Sequence, residues 1–415
     1  MNYSKSIFVF GIRSLVLLSK FFFTIFLAKK LSIDNFGLWV LIFAIVSYAS
    51  ILLGMEGYNV SLRNYIKTSP NYNIEILSRP WQLYYLFYAL IFFVTLLSFI
   101  LFKEKISVIF FIISSIIILE HCTLEIHRYG IFKDEQISAN IILLLKSFGW
   151  MFPYIYIYWD VNEVSINSVL LSWLAGCIVC LIYCLYIYLH VFLSAFKKKF
   201  NFLTFSDIKR YGILIFPFLV LSLSIRTPII LDRYLLEIFG ERIDLAIYGY
   251  YMSYGNGVQA LFDAVIIAPL IPKLLKNFPE SSLNTKKNTI YITLISAVVF
   301  WIACISFIYF LLPYINIYTE KEIFTDHISI FILISFAQMI FSLSLIPQYY
   351  LYSINLDMSL ISGALIYLVL SCISLSFLIP AYGAYGAGFG LMIGALTTLF
   401  YRLYQLITSK DKIST

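Results

Sequence analysis

Charge is what this chain has least of: 12% of its 415 residues are charged and 61% are hydrophobic, whereas a soluble globular domain carries about 25% charged residues. An ordinary soluble fold is thereby excluded, and a polytopic helical membrane protein is implied. The net charge of +7 does not point to nucleic acid, because Lys and Arg fall in short loops between apolar runs instead of on one face. A GxxxxGK[ST] phosphate loop is absent, so nothing supports direct ATP hydrolysis. All six cysteines lie in apolar segments, which implies no disulfide framework. Cys177, Cys180 and Cys184 recur at helical spacing and read as a packing stripe more than as a redox or metal site. His121, Cys122, Glu125 and His127 have the residue types of a metal site, but His127 is displaced round the helix and no second motif completes a shell. Neither a metal nor a cofactor is expected.

What the chain has in abundance is long apolar runs. Taking about 20 apolar residues as one crossing, the sequence predicts twelve helices, near 7–28, 36–61, 81–102, 106–127, 138–159, 165–192, 208–231, 246–271, 289–312, 328–353, 357–379 and 383–407. The first run is too long for a signal-peptide core and lacks an A-x-A site, so it reads as a retained helix. With the N-terminus inside, the inner loops hold Lys5, Arg63, Lys67, Arg79, Arg128, Lys133, Lys197, Lys198, Lys199, Lys209, Arg210, Lys273, Lys276, Lys286, Lys287, Lys410 and Lys412. The outer loops hold Lys29, Lys30, Lys103, Lys105, Arg233, Arg242 and Lys321. That excess predicts both termini in the cytoplasm.

The polar connection Phe196–Asp207 would join two six-helix halves, residues 1–200 and 201–415. An internal echo fits this division: Phe10-Gly11 matches Tyr211-Gly212, and each is followed by a helix, a turn with an Asp (Asp34, Asp244) and an aromatic-glycine cluster, FGLW at 36–39 and IYGY at 247–250. Repeats of this kind place a binding site at the interface of the halves; chance similarity in an apolar sequence is the alternative.

Ionisable residues inside apolar runs are the candidates for function, since each costs roughly 2.5–3.5 kcal/mol at a helix centre. They are Arg13, Lys20, Lys146 and Arg226 among the cations and Glu56, Glu120 and Asp263 among the carboxylates. Arg13 and Lys20 are seven residues apart and share a helix face, which suits an anion such as a pyrophosphate. The bland reading is that each cation pairs with Glu56, Glu120 or Asp263 in an interhelical salt bridge. Arg13, Glu125 and Arg402 lie nearer the inner boundary, where snorkelling is an alternative reading of each. Tyr48, Tyr58 and Tyr251 are candidates for stacking on sugars.

The opening segment joins an Ala-Lys-Lys-Leu helix end to Asp34, Asn35, Phe36, Gly37, Leu38 and Trp39, then to an aliphatic helix closing on Gly54, Glu56, Gly57, Asn59 and Arg63. This pattern resembles the O-antigen flippases of the multidrug/oligosaccharidyl-lipid/polysaccharide exporter superfamily. So do a helix with Pro217 and Pro228 closing on Asp232-Arg233-Tyr234, and Pro380 followed by YGAYGAGFG at 382–390. The resemblance implies an all-α integral membrane fold, twelve helices in two six-helix halves around a central cavity, and no enzyme activity. It implies a flippase in the bacterial inner membrane, moving undecaprenyl-pyrophosphate-linked oligosaccharide repeat units from the cytoplasmic to the periplasmic leaflet by alternating access. Lipid-linked oligosaccharide, membrane lipid and other polysaccharide-assembly proteins are the implied partners, and nucleic acid is not. Arg13, Lys20, Lys146 and Arg226 would bind substrate, and Glu56, Glu120 and Asp263 would be coupling or cavity carboxylates. An ion-coupled small-molecule or drug antiporter is disfavoured by the mixed charges. An integral-membrane polymerase or glycosyltransferase is disfavoured by the lack of a long outer loop.

Overall fold

In a computed structural model, residues 3–58, 74–101, 104–133, 135–197, 204–277, 283–354 and 356–408 are described. The predicted linker near 198–203, the end of the predicted second helix with Asn59 and Arg63, and Lys410 and Lys412 lie outside them. The described residues form helices and no strand: α1 (Tyr3–Lys30), α2 (Ile33–Gly54), α3 (Ile74–Leu101), α4 (Glu104–Phe132), α5 (Gln136–Lys146), α6 (Phe148–Ile157), α7 (Ile166–Lys197), α8 (Phe205–Phe239), α9 (Arg242–Phe262), α10 (Ala268–Asn277), α11 (Leu283–Thr319), α12 (Glu322–Asp326), α13 (Ile328–Ser353) and α14 (Asp357–Thr408). Eleven helical stretches among them are long and apolar enough to cross a membrane. The chain is a multi-pass membrane protein.

The last stretch is two crossings. Its 52 residues would reach roughly 78 Å as one straight helix, against a hydrocarbon core of about 30 Å. It turns at Gly383, at φ 53° and ψ −130°, a backbone conformation that only glycine reaches without strain. Beyond the turn, Gly386, Gly390 and Gly394 come against Leu378, Leu375 and Ser371 on the first arm, with a Cβ on Gly390 falling 2.7 Å from the Leu375 side chain. Partners step along the two arms in opposite directions, so the arms form an antiparallel hairpin zipped along a face of small residues. The break predicted between 379 and 383 is therefore real, and the described residues hold twelve crossings.

Three other predicted helices are interrupted. The second does not run on to 61: α2 ends at Gly54, and Met55 and Glu56 adopt left-handed backbone, at φ 45° and 55°. Glu56 is therefore in the turn after the helix and not inside it. The crossing predicted at 138–159 breaks at Ser147, at φ −120° and ψ −80°, between α5 and α6. The one predicted at 246–271 changes to a π-turn over Asp263–Ile267.

By its contacts the chain packs as two compact units, Met1–Phe23 with Ile42–Ser222, and Thr24–Leu41 with Leu223–Thr415. In the first, the cysteine stripe of α7 packs as expected: Cys180, Cys184 and Tyr188 form a buried cluster with Ile126 and Ile142. Phe23 meets Trp150 and Tyr154 edge to face, at 4.9 and 5.8 Å between ring centroids. In the second, Trp301 and Tyr350 anchor a cluster with Val258, Phe262 and Leu274. The same unit contains the turn between α1 and α2. There Phe36 is fully buried against Tyr250 and Phe324, at 6.5 and 6.2 Å. A Cβ on Gly37 would stand 2.9 Å from the Arg242 carbonyl oxygen, and one on Gly249 would collide with Val40. The helices that carry the two aromatic-glycine clusters thus approach closely at Gly37 and Gly249, and Phe36 meets Tyr250.

Candidate functional site

On α1 the accessible residues fall on two sides. Arg13 and Lys20 are exposed, and at 100° per residue they lie about 20° apart. Leu15, Leu18 and Phe22 are also exposed, but on the far side of the helix, roughly 140–200° away. Ile12, Val16, Ser19 and Phe23 are buried between the two faces. The apolar face suits lipid, and the cationic one does not. Arg13 donates from Nε to Asn140 Oδ1 at 3.1 Å, while Glu120 and Lys146 act electrostatically on Lys20.

Lys146 and Glu120 are brought together. Lys146 Nζ is 2.6 Å from Glu120 Oε2 and donates to the Glu120 carbonyl oxygen at 3.0 Å. Glu120 Oε1 accepts from Trp173 Nε1 at 2.9 Å and from the Cys177 thiol at 3.5 Å. This knot ties α4, α5 and α7 together, and both charges are mostly buried. Lys146 is thus held in an interhelical salt bridge with Glu120.

A second knot surrounds the end of α2. Glu56 accepts from Ser222 at 2.8 Å. The Tyr84 hydroxyl lies 3.2 Å from the Gly54 carbonyl and 3.3 Å from Glu125 Oε2, so it satisfies one of the orphan acceptors at the helix end. Arg128 closes on Glu125 at 2.6 Å and lies 5.4 Å over the Tyr58 ring. Glu125 is thus not a snorkelling residue: it is buried and ion-paired. His121 is bonded to Tyr88 at 2.6 Å through Nδ1 and stands 4.0 Å from Glu125. Among the described residues no three His, Cys, Asp or Glu side chains converge as a metal would require.

In the second unit Arg226 is exposed on α8, while residues 218–225 and 227–233 on either side are buried or half-buried. Asp263, also exposed, opens the π-turn, a distortion often found at functional positions. Gln259 Nε2 donates to it at 3.0 Å. Arg402 is no snorkelling residue either. It is fully buried, and donates from one terminal nitrogen to the Ser344 carbonyl and hydroxyl at 3.1 and 2.9 Å. Tyr251 cannot stack on a sugar, because it is buried with its hydroxyl donated to the Phe324 carbonyl. The sequence reading overlooked Asn256, Gln259, Gln338 and Ser342, which form a row along α9 and α13. Amides at 256 and 259 with a carboxylate at 263 were the available signal.

No protein-family model matches the chain, and no curated protein matches it in sequence. Among solved structures it is similar to the lipid II flippase MurJ in an inward closed conformation, with TM-score 0.71 and 14% identity over 98% of this chain and 90% of that one. It is similar to an inward-facing multidrug resistance MATE transporter, with TM-score 0.67 and 13% identity over 97% and 94%. A transporter of the same superfamily from Pyrococcus furiosus gives TM-score 0.54 and 10% identity over 98% and 94%. The chain shares its fold with these transporters.

Proposed function

We propose that this chain is a flippase for undecaprenyl-pyrophosphate-linked oligosaccharide repeat units of the O-antigen type, working by alternating access in a bacterial inner membrane with both termini cytoplasmic. The observation that carries the reading is the pair of opposed faces on α1: a membrane helix that shows lipid an apolar side and keeps Arg13 and Lys20 accessible on the other. Two cations left accessible within a membrane crossing suit a doubly anionic group that must leave water, and a pyrophosphate is one. Lys146, held by Glu120, sets the field around Lys20, and Arg226 in the second unit is a further accessible cation of this kind. Glu56, Glu120 and Asp263 are the groups through which an ion gradient would act.

The same fold is found in multidrug transporters, so the test must separate substrates. In a deletion strain, surface polysaccharide should be lost while lipid-linked repeat units accumulate inside. Lys20→Ala and Arg226→Ala should fail to restore export at normal membrane levels, whereas Lys20→Arg and Arg226→Lys should restore part of it. Normal export by the alanine variants would make these cations structural, and resistance to drugs without any change in polysaccharide would favour the antiporter.

A further inference from the structure

On α9, Asn256, Gln259 and Asp263 fall on one face over about 10 Å of helix. Asn256 and Asp263 are exposed and Gln259 is half-buried. Beside them, a Cβ on Gly257 would meet nothing within 4 Å, so the face has open space next to it. Its amides are oriented from behind by α13. Gln338 Nε2 donates to Asn256 Oδ1 at 3.1 Å, and the Ser342 hydroxyl donates to Gln259 Oε1. Gln259 Nε2 in turn donates to Asp263 Oδ1 at 3.0 Å.

That orientation decides what the face is built to hold. A hard cation needs several oxygens converging on it, and here both amide oxygens are already turned into the protein. What remains outward is the Asn256 NH2, the second Gln259 N–H and the free Asp263 carboxylate oxygen, none of which has a protein hydrogen bond among the described residues. Amide donors alternating with a carboxylate acceptor match hydroxyl groups, which both give and take hydrogen bonds. We infer that this face of α9 binds the sugar hydroxyls of the transported molecule, a role separate from recognition of its pyrophosphate. The inference rests on the flippase reading given above.

The test uses the full-length protein in lipid nanodiscs and two ligands: lipid-linked repeat units isolated from the native host, and undecaprenyl pyrophosphate without glycan. Wild type should bind the glycan-bearing lipid about tenfold more tightly, the effect expected of a few net hydrogen bonds. Asn256→Ala combined with Gln259→Ala should shrink that advantage below twofold and leave the affinity for the glycan-free lipid unchanged, which also shows that the variant is folded. The inference is overturned if the double variant keeps the full advantage, or if it loses both ligands equally. A sodium-dependent affinity that disappears in Asp263→Asn would overturn it as well, making the face a cation site. If wild type binds both lipids equally, the sugar site fails and the flippase reading stands. If wild type binds neither, the flippase reading fails and takes the sugar site with it.

Discussion

The two compact units keep polar groups within the membrane by different chemistry. In the first, the buried groups are ions of opposite sign closed on each other, Lys146 with Glu120 and Arg128 with Glu125. In the second, one buried pair of that kind, Asp232 with Arg233 at 3.2 Å, stands among neutral bonds: Tyr250 donating to Asn316 at 2.9 Å, Gln338 to Asn256, Ser342 to Gln259. Another buried cation there, Arg402, is held by a serine and its carbonyl. Ion pairs hold helices strongly only while both partners remain, whereas amides and hydroxyls lose one modest bond at a time. The first unit should accordingly be brittle to single substitutions, and the second, away from Asp232 and Arg233, tolerant of them.

The sharpest way to break that contrast is at Glu120. Glu120→Ala leaves Lys146 buried without its counter-charge, for which about 3–5 kcal/mol of destabilisation is expected. Removing both charges with Glu120→Gln and Lys146→Met should recover most of the loss. Ser342→Ala in the second unit should cost about 0.5–1.5 kcal/mol. Unfolding of the purified variants in detergent gives the order, and equal losses at Glu120 and Ser342 would erase the distinction between the units.

Packing provides the second test, because it should be unforgiving where the chemistry is not. Gly249→Val drives a side chain into Val40, and overpacking of a close contact costs about 1–3 kcal/mol. Val40→Ala in the same chain should return part of it. No rescue would mean that the aromatic-glycine clusters are not held by that contact.

How much of this was legible depended on whether a feature is local. The crossings were visible as apolar runs, and the last hairpin as Pro380 and a glycine row, because length and small-residue spacing are properties of the chain itself. Glu120 and Lys146 stood out as charges in apolar runs. Their union did not, since it needs α4, α5 and α7 packed to bring residues 26 apart in sequence within reach. The break after Gly54 was hidden for a similar reason: Gly-Met-Glu barely interrupts an apolar window, and the turn is fixed from outside by Tyr84, with His121 3.2 Å from where a Gly54 Cβ would stand. Neutral amides such as Asn256 and Gln259 cost too little to stand out among charges, so the row on α9 passed unread.

The smallest effect is expected at the surface of the second unit, where the Lys29–Glu320 pair can be tuned by pH. Lys29 Nζ is 2.5 Å from Glu320 Oε1 and lies 4.5 Å over the Tyr318 ring. The hydrogen bond from Lys29, and then its charge, hold the Glu320 carboxyl below the ordinary value of 4.5. A carboxyl whose folded pKa is depressed contributes stability that is fully present above its unfolded pKa and disappears as pH falls through the folded one. Glu320→Gln should therefore lower the melting temperature slightly at pH 7, the difference should close as the pH drops below 4.5, and added salt should shrink it, because exposed pairs are screened. If the difference persists unchanged in acid and in high salt, Glu320 acts at the turn through packing and not through charge.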